Sequence, residues 1–428
     1  MERSGDNVRA VAISVLNKCM AAGQYSNISL DTAIKRASLS EQDRSLLTVL
    51  VYGVLERKLT LDACIESLSS RPVTDIDLTV CNLLRMGIYQ MKYTDRIPDH
   101  AAVNETVSLA SKKTRGFVNA ILRAFLRAEK QLPIPDKTTD PVGYLSVKYS
   151  FLPSLCQVFL YEFGFMRCES MLAAFCERPP LTLRANTLRV SREDLCARLT
   201  ADGHSVSLTQ NSSVGLLLSN APVTSLSGFA KGDFFVQDEA SQLCVEALDA
   251  HEGMTVIDVC ACPGSKSFGA AIDMKNRGRV ISCDLHANKL SLVQSGAERL
   301  GISIVETVAR DARQTNDEWV EFADRVLCDV PCSGFGVFAK KPELRYKDPA
   351  TSEPLPEIQQ AILCASAPYV KRGGRLVYST CTVLPRENEQ NVRRFLNSHS
   401  DFTLIQQRTL YPDADLTDGF FFAVLEKI

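Results

Sequence analysis

MTVIDVCACPGSKS, residues 254–267, decides the fold. A short apolar run from Met254 to Val259 reads as a buried strand. It ends in Cys260-Ala261-Cys262-Pro263-Gly264, where proline and glycine permit a tight bend. A helix starting next to that bend presents its first backbone N–H groups unpaired, so strand, turn and helix start together form a nucleotide-cofactor site. The fingerprint G-x-G-x-x-G is absent, which disfavours a nicotinamide dinucleotide.

Downstream, the same alternation continues through RVISCDL (279–285), a helix through Leu300, ISIVETV (302–308) and RVLCDV (325–330). It then runs through a helix around Pro356–Val370, GRLVYST (374–380) and closing strands near Phe402–Gln406 and Phe420–Leu425. Such a pattern calls for a Rossmann-like α/β domain over 237–428, with a mostly parallel seven-stranded sheet and helices on both faces. Ligands of such sheets sit at the carboxyl ends of the strands. Asp284, Asp311 and Asp329 each follow a strand; Asp284 lies where an acid accepts hydrogen bonds from ribose hydroxyls.

Upstream, apolar residues from Asn7 to about Arg127 recur at helical spacing, as in VRAVAISVLNKCM, SLLTVLVYGVLERKL and TVCNLLRMGIYQM. Residues 1–130 are therefore expected to form an all-α domain, with Ser40 and Asp43 marking a helix start. KQLPIPDKTTDPVG gathers three prolines and reads as a linker, taken as 131–143. Between it and the sheet domain, 144–236 combines a helical stretch with the strand-like LTLRANTLRV and GDFFVQDEASQ, an intermediate helical and α+β region.

The chain has 428 residues, 45% hydrophobic and 23% charged, with no apolar run of the ~20 residues that span a bilayer. No secretory signal pattern opens it. A soluble, cytoplasmic protein is expected, not associated with a membrane, and a monomer. The net charge of −2 carries no global nucleic-acid signature. Residues 1–130, however, hold 18 Lys and Arg against 14 Asp and Glu, concentrated around Lys112, Lys113, Arg115, Arg123 and Arg127. Those five are candidate phosphate contacts.

Fifteen cysteines, odd in number and mostly beside aliphatic residues, suit buried free thiols better than disulfides. Their spacing suits no metal, and none is expected. Two stand apart: Cys332 in DVPCSG after the fourth strand and Cys381 in STCTV after the fifth, both at the cofactor edge of the sheet. A thiolate is the nucleophile wanted for a poorly reactive ring carbon: attack on C6 of cytosine makes C5 enamine-like and able to take a methyl group. Asp329, held protonated, hydrogen-bonds N3 of such a ring and collects the developing charge.

DVCACPGSKS, CDL, RDAR, DVPCSGFG and YSTCTVLPRENEQNV resemble, in order, the motifs of the RNA cytosine-5 methyltransferases, and the likeness continues through Asp418-Gly419-Phe420-Phe421. The resemblance implies S-adenosylmethionine as cofactor. It makes Cys381 the nucleophile, Cys332 the cysteine that promotes breakdown of the adduct, and Asp329 the base-binding acid. Cofactor contacts would come from Cys260, Ala261, Cys262, Pro263, Gly264, Ser265 and Lys266, with Asp284 at the ribose, Asp311 near the adenine, and Asp329. Arg184 and Asn186 belong to a further family element without assigned chemistry. Ser265 stands where the family has a second glycine, Arg310 where a glycine commonly precedes Asp311, and KKPELRY (340–346) where a histidine-containing basic stretch is typical.

PDHAAVNETVSLASKKTRGFVNAILRAFLR (98–127) is similar to the NusB-like domain fused to one bacterial branch of these enzymes. That branch implies 16S rRNA as partner and cytosine 967 as target. The same chemistry on transfer RNA or another ribosomal position, and an RNA-binding assembly or antitermination factor with a vestigial catalytic domain, are the alternatives. An exposed or flipped cytosine is required in every enzymatic case.

Overall fold

The computed structural model describes residues 6–22, 26–177, 181–219 and 222–428. It divides into two compact units, one comprising residues 1–176 with 341–349, the other 177–340 with 350–428.

The first unit is helical: α1 (Val8–Ala22), α2 (Ser26–Arg36), α3 (Glu41–Glu56), α4 (Lys58–Ser69), α5 (Leu78–Tyr93), α6 (Asp99–Leu109), α7 (Arg115–Arg127), α8 (Pro141–Tyr149) and α9 (Pro153–Phe175). Side-chain oxygens satisfy otherwise unpaired N–H groups at three starts: Ser40 accepts from Asp43 N (3.1 Å), Asp77 from Val80 N (3.1 Å) and Asp140 from Gly143 N (2.8 Å). Leu47, Leu50, Val54, Leu61, Ile65, Leu84, Ile88, Leu122 and Phe125 are buried together in the core. α3 approaches α5 so closely that a Cβ on Gly53 would lie 1.9 Å from the Tyr89 ring. Inside this core Arg85 pairs with Asp62 at 2.5 Å and donates to Asn82 at 2.8 Å.

Residues 341–349 contribute to the same unit. Arg345 donates to the carbonyls of Glu56 and Phe175, each at 2.7 Å, while Tyr346 meets Ser150 Oγ at 2.9 Å and accepts from Lys58 N at 3.1 Å. The unusual KKPELRY stretch thus spends Arg345 and Tyr346 on internal hydrogen bonds.

The second unit opens with β1 (Leu181–Ala185), α10 (Arg192–Ala201), β2 (Val206–Leu208), β3 (Gly215–Leu218) and β4 (Phe234–Val236), whose strands form an antiparallel sheet in the order β2-β3-β1-β4. Leu183, Leu195, Leu199, Leu216 and Phe234 bury its helix-covered face.

There follow α11 (Glu239–Leu248), β5 (Thr255–Asp258), α12 (Ser265–Asp273), β6 (Arg279–Asp284), α13 (Ala287–Leu300), β7 (Val305–Ala309), β8 (Ala323–Asp329), α14 (Leu355–Ser366), β9 (Val370–Thr380), α15 (Glu389–Ser398), β10 (Phe402–Leu410), α16 (Pro412–Asp415) and β11 (Phe420–Lys427). Their seven strands run β10-β11-β9-β8-β5-β6-β7. The five from β9 to β7 are parallel, and β11 is antiparallel to both β9 and β10. This is the Rossmann-like α/β architecture expected from the strand and helix alternation. The chain fills one side of β5 with β6 and β7, then returns to fill the other with β8 and β9. The reversal opens a crevice at the carboxyl ends of β5 and β8.

Candidate active site

β5 delivers the chain into the turn from Cys260 to Gly264, which closes with Ala261 N donating to Cys283 O (2.7 Å) and Gly264 N to Ala261 O (2.6 Å). Gly264, at φ 109°, is the left-handed residue that precedes α12, a conformation glycine adopts without a Cβ penalty. Ser265 is the first helical residue and has no positive φ, so a serine in place of glycine creates no backbone strain there. Its carbonyl accepts from Gln237 Nε2 at 3.1 Å.

Beneath the turn lies a buried carboxylate that sequence reading passed over. Asp258 Oδ2 accepts from Ser267 Oγ at 2.7 Å, whereas Oδ1 is buried with no hydrogen-bond partner among the described residues. Burial pushes this acid up to about 7, against the opposing effect of the Ser267 hydrogen bond.

At the end of β6, Asp284 accepts from His286 N at 2.9 Å. Leu285 beside it is an exposed leucine, 57% accessible. After β7, Asp311 is gripped by Arg313 through Nε (2.9 Å) and Nη2 (2.6 Å), hydrogen bonds that hold its pKa down to about 2. Arg310 stacks over the Trp319 ring at 4.7 Å, which gives this residue a packing role where glycine is usual. Val308, Arg310, Asp311, Gln314 and Trp319 line a cleft of about 320 Å³ there.

At the end of β8, Asp329 Oδ2 accepts from Lys266 Nζ at 2.6 Å and Oδ1 from Ser379 Oγ at 2.8 Å. Lys266, the second residue of α12, thereby joins that helix to the β8 loop; its ammonium also lies 5.2 Å from the centre of the Phe420 ring. Burial opposes the charge on Lys266, but the neighbouring carboxylate of Asp329 outweighs it and holds the group above the usual lysine range. Asp329 is thus paired with Lys266 and does not stand alone at the end of β8.

Cys332 and Cys381 stand with their Sγ atoms 3.2 Å apart, because parallel β8 and β9 place their carboxyl ends side by side. The hydrogen bond with Cys381, followed by burial, pushes the Cys332 thiol well above its ordinary range. Three further features frame the pair. Gly336 O accepts from Gly419 N at 2.8 Å, joining the Pro-Cys loop to the start of β11. Lys340 is held by Asp238 and Asp418, each at 2.6 Å, and burial raises Asp418 to about 7. Glu387 accepts from Ser333 N at 2.9 Å.

Residues 245–426 match the family of 16S rRNA methyltransferases RsmB/F, residues 6–127 the NusB family, and residues 155–224 the ferredoxin-like domain of RsmF/B-like methyltransferases. The probable ribosomal RNA small subunit methyltransferase B of Bacillus subtilis (strain 168) is 38% identical over 402 residues, covering 92% of this chain and 89% of its own. The chain belongs to the RsmB family of ribosomal RNA methyltransferases. A relative of the same description from Synechocystis sp. (strain ATCC 27184 / PCC 6803 / Kazusa) is 36% identical, covering 98% of this chain and 99% of its own. The crystal structure of PH0851 aligns with a TM-score of 0.81 and 26% identity over 99% of this chain and 100% of that one. A methyltransferase homologue from Pyrococcus horikoshii aligns at 0.60 and 26%, over 66% of this chain and 98% of that one.

Within this RsmB-family chain, Arg184 and Asn186 acquire structural roles. Arg184, fully buried on β1, donates to Asp273 Oδ1 at 2.6 Å at the end of α12, and Asn186 donates to Gly232 O (2.8 Å) and Leu300 O (2.9 Å). Both fasten the small antiparallel sheet to the helices of the large one. In the helical unit, Lys112, Lys113, Arg115, Arg123 and Arg127 are all exposed, within and just before α7, while Lys130 pairs with Asp99 at 2.7 Å.

Proposed function

We propose that this chain transfers a methyl group from S-adenosylmethionine to C5 of a cytosine in 16S rRNA, cytosine 967 by family resemblance, through a covalent bond between Cys381 Sγ and C6. The observation that carries this reading is the pair of thiols 3.2 Å apart next to the Lys266–Asp329 ion pair, at the crevice of a methyltransferase sheet.

Covalent attack is chemically required because C5 of cytosine is a weak nucleophile; a thiolate at C6 pushes electron density toward N3 and C5. That density is met at the ring edge by Lys266, as a fixed positive charge, and by Asp329, which takes up a proton from solvent and donates it in a hydrogen bond to N3. When bound, S-adenosylmethionine supplies an electrophilic methyl group. The turn from Cys260 to Lys266 and the N–H groups at the start of α12 fit its polar part, and Asp284 its ribose. Leu285 offers an apolar surface beside it. After transfer, the C5 proton is lost to solvent, the C5–C6 double bond re-forms and the electron pair of the C6–Sγ bond returns to Cys381. Cys332 assists that departure. Phosphate contacts come from Lys112, Lys113, Arg115, Arg123 and Arg127.

The test is incubation of purified protein with 16S RNA transcripts and tritiated methyl donor, followed by mapping of the labelled nucleotide. Cys381→Ala abolishes transfer, and Cys332→Ala accumulates a protein–RNA adduct that survives denaturing electrophoresis. Absence of label with the unaltered protein, or an active Cys381→Ala variant, overturns the reading.

A further inference from the structure

The peptide groups on either side of Cys332 are held by two buried side chains. Gln359 Nε2, from α14, donates to Pro331 O at 3.0 Å and to Glu387 Oε2 at 2.8 Å; the same Oε2 accepts from Ser333 N at 2.9 Å. Gln359 is oriented in turn by Asn391, which donates to its Oε1 at 2.9 Å. Ser333 Oγ lies 3.0 Å from Thr382 Oγ1, next to Cys381, so the bracket spans both cysteine loops. Glu387 is fully buried, and its second oxygen, Oε1, has no hydrogen-bond partner among the described residues. Leaving a carboxylate oxygen buried and unsatisfied is costly, and a glutamine would make the same bracket without a charge. Where a glutamine would only hold the loop, a carboxylate at this position also acts on Cys332 through its charge.

We propose that Glu387 is a positioning residue that keeps the shared proton of the thiol pair on Cys332, leaving Cys381 as the attacking thiolate. The inference rests on the functional reading above for the roles of the two cysteines. When the pair loses one proton to solvent, the remaining one sits on Cys332 Sγ and is donated to Cys381 Sγ across 3.2 Å. A second negative charge at Cys332 is disfavoured next to Glu387, whose field adds to the Cys381 hydrogen bond and burial in keeping Cys332 a thiol. The ionisable groups beside this network among the described residues include the Lys266–Asp329 pair next to the thiols and Tyr378, which donates to the backbone carbonyl of Glu387 at 2.6 Å and is itself held neutral by burial. After methyl transfer, the Cys332 S–H is in place to solvate the departing Cys381 thiolate, which accounts for the expected trapping of the adduct when Cys332 is removed.

Alkylation of the RNA-free protein with iodoacetamide, resolved peptide by peptide by mass spectrometry, reads the thiolate position directly, since only the thiolate reacts. The unaltered protein labels Cys381 at least about fivefold over Cys332, and Glu387→Gln lowers that ratio about threefold or more. Gln359→Ala loosens the loop but keeps the charge, and leaves the preference for Cys381 in place. An unchanged ratio in Glu387→Gln, or an equal shift in Gln359→Ala, overturns the proposal. Because no RNA is present, a failure of methyl transfer by the unaltered protein counts against the functional reading alone.

Discussion

At the scale of single residues, the candidate site is governed by charges held out of water. Asp258 is the clearest case: an acid raised by burial from 3.8 to about 7 binds a proton in the folded state that the unfolded chain has already released. Its contribution to stability is fully present below the unfolded value and is lost as pH rises through about 7. Asp258→Asn keeps the polar group facing Ser267 and removes the titration. The variant therefore gains on the unaltered protein between pH 5 and 8, by an amount on the order of a few kcal/mol at the upper end. Thermal unfolding of both proteins across that range checks this, and a difference that stays flat with pH refutes it. Asp418, raised to about 7 beside Lys340, titrates in both proteins and cancels from the comparison.

At the scale of elements, the geometry of the two thiols depends on close packing between the Pro-Cys loop and the start of β11. A Cβ on Gly336 would lie 1.9 Å from Gly419 O and 2.9 Å from Cys381 O. Neither backbone atom can yield as a flexible side chain does, so Gly336→Ala moves the loop and Cys332 with it. Misplacement of reacting groups by about 1 Å costs up to roughly 100-fold in rate, so turnover falls steeply, and the overpacking also lowers the melting temperature by a few degrees. Steady-state methyl transfer beside thermal unfolding tests this; turnover within twofold of the unaltered protein would show that the loop absorbs the methyl group. Much at this scale was readable in advance. The alternation of apolar strands with helices after Met254 announced the sheet, and Ser40 with Asp43 announced the start of α3, because both signals are local. The Glu387–Gln359 bracket was not readable: its partners lie 28 and 54 positions apart, and only the adjacency of β8, β9 and α14 brings them together.

At the scale of the whole molecule, the helical unit holds an exposed basic run against a chain of net charge −2. If that run meets RNA phosphates, reversing it releases fewer counterions on binding. Lys112→Glu, Lys113→Glu, Arg123→Glu and Arg127→Glu combined weaken RNA binding and flatten its salt dependence by about 0.7–0.9 in log–log slope per lost contact. Filter binding across salt concentrations measures this, and an unchanged slope removes these residues from the interface. Turnover at saturating RNA is retained.

The order of the chemistry along the chain was legible locally: which acids and cysteines follow which strands, and which family those motifs resemble. Periodicity and turn residues are local properties, legible wherever a strand or helix buries one pattern of side chains. Which groups meet was set by the packed fold. It paired Lys266 with Asp329, set Cys332 against Cys381, gave residues 341–349 to the helical unit, and turned Arg184 toward α12. Those contacts join positions far apart in the chain. Their partners follow from how parallel strands and buried charges are satisfied in three dimensions, which no local pattern encodes.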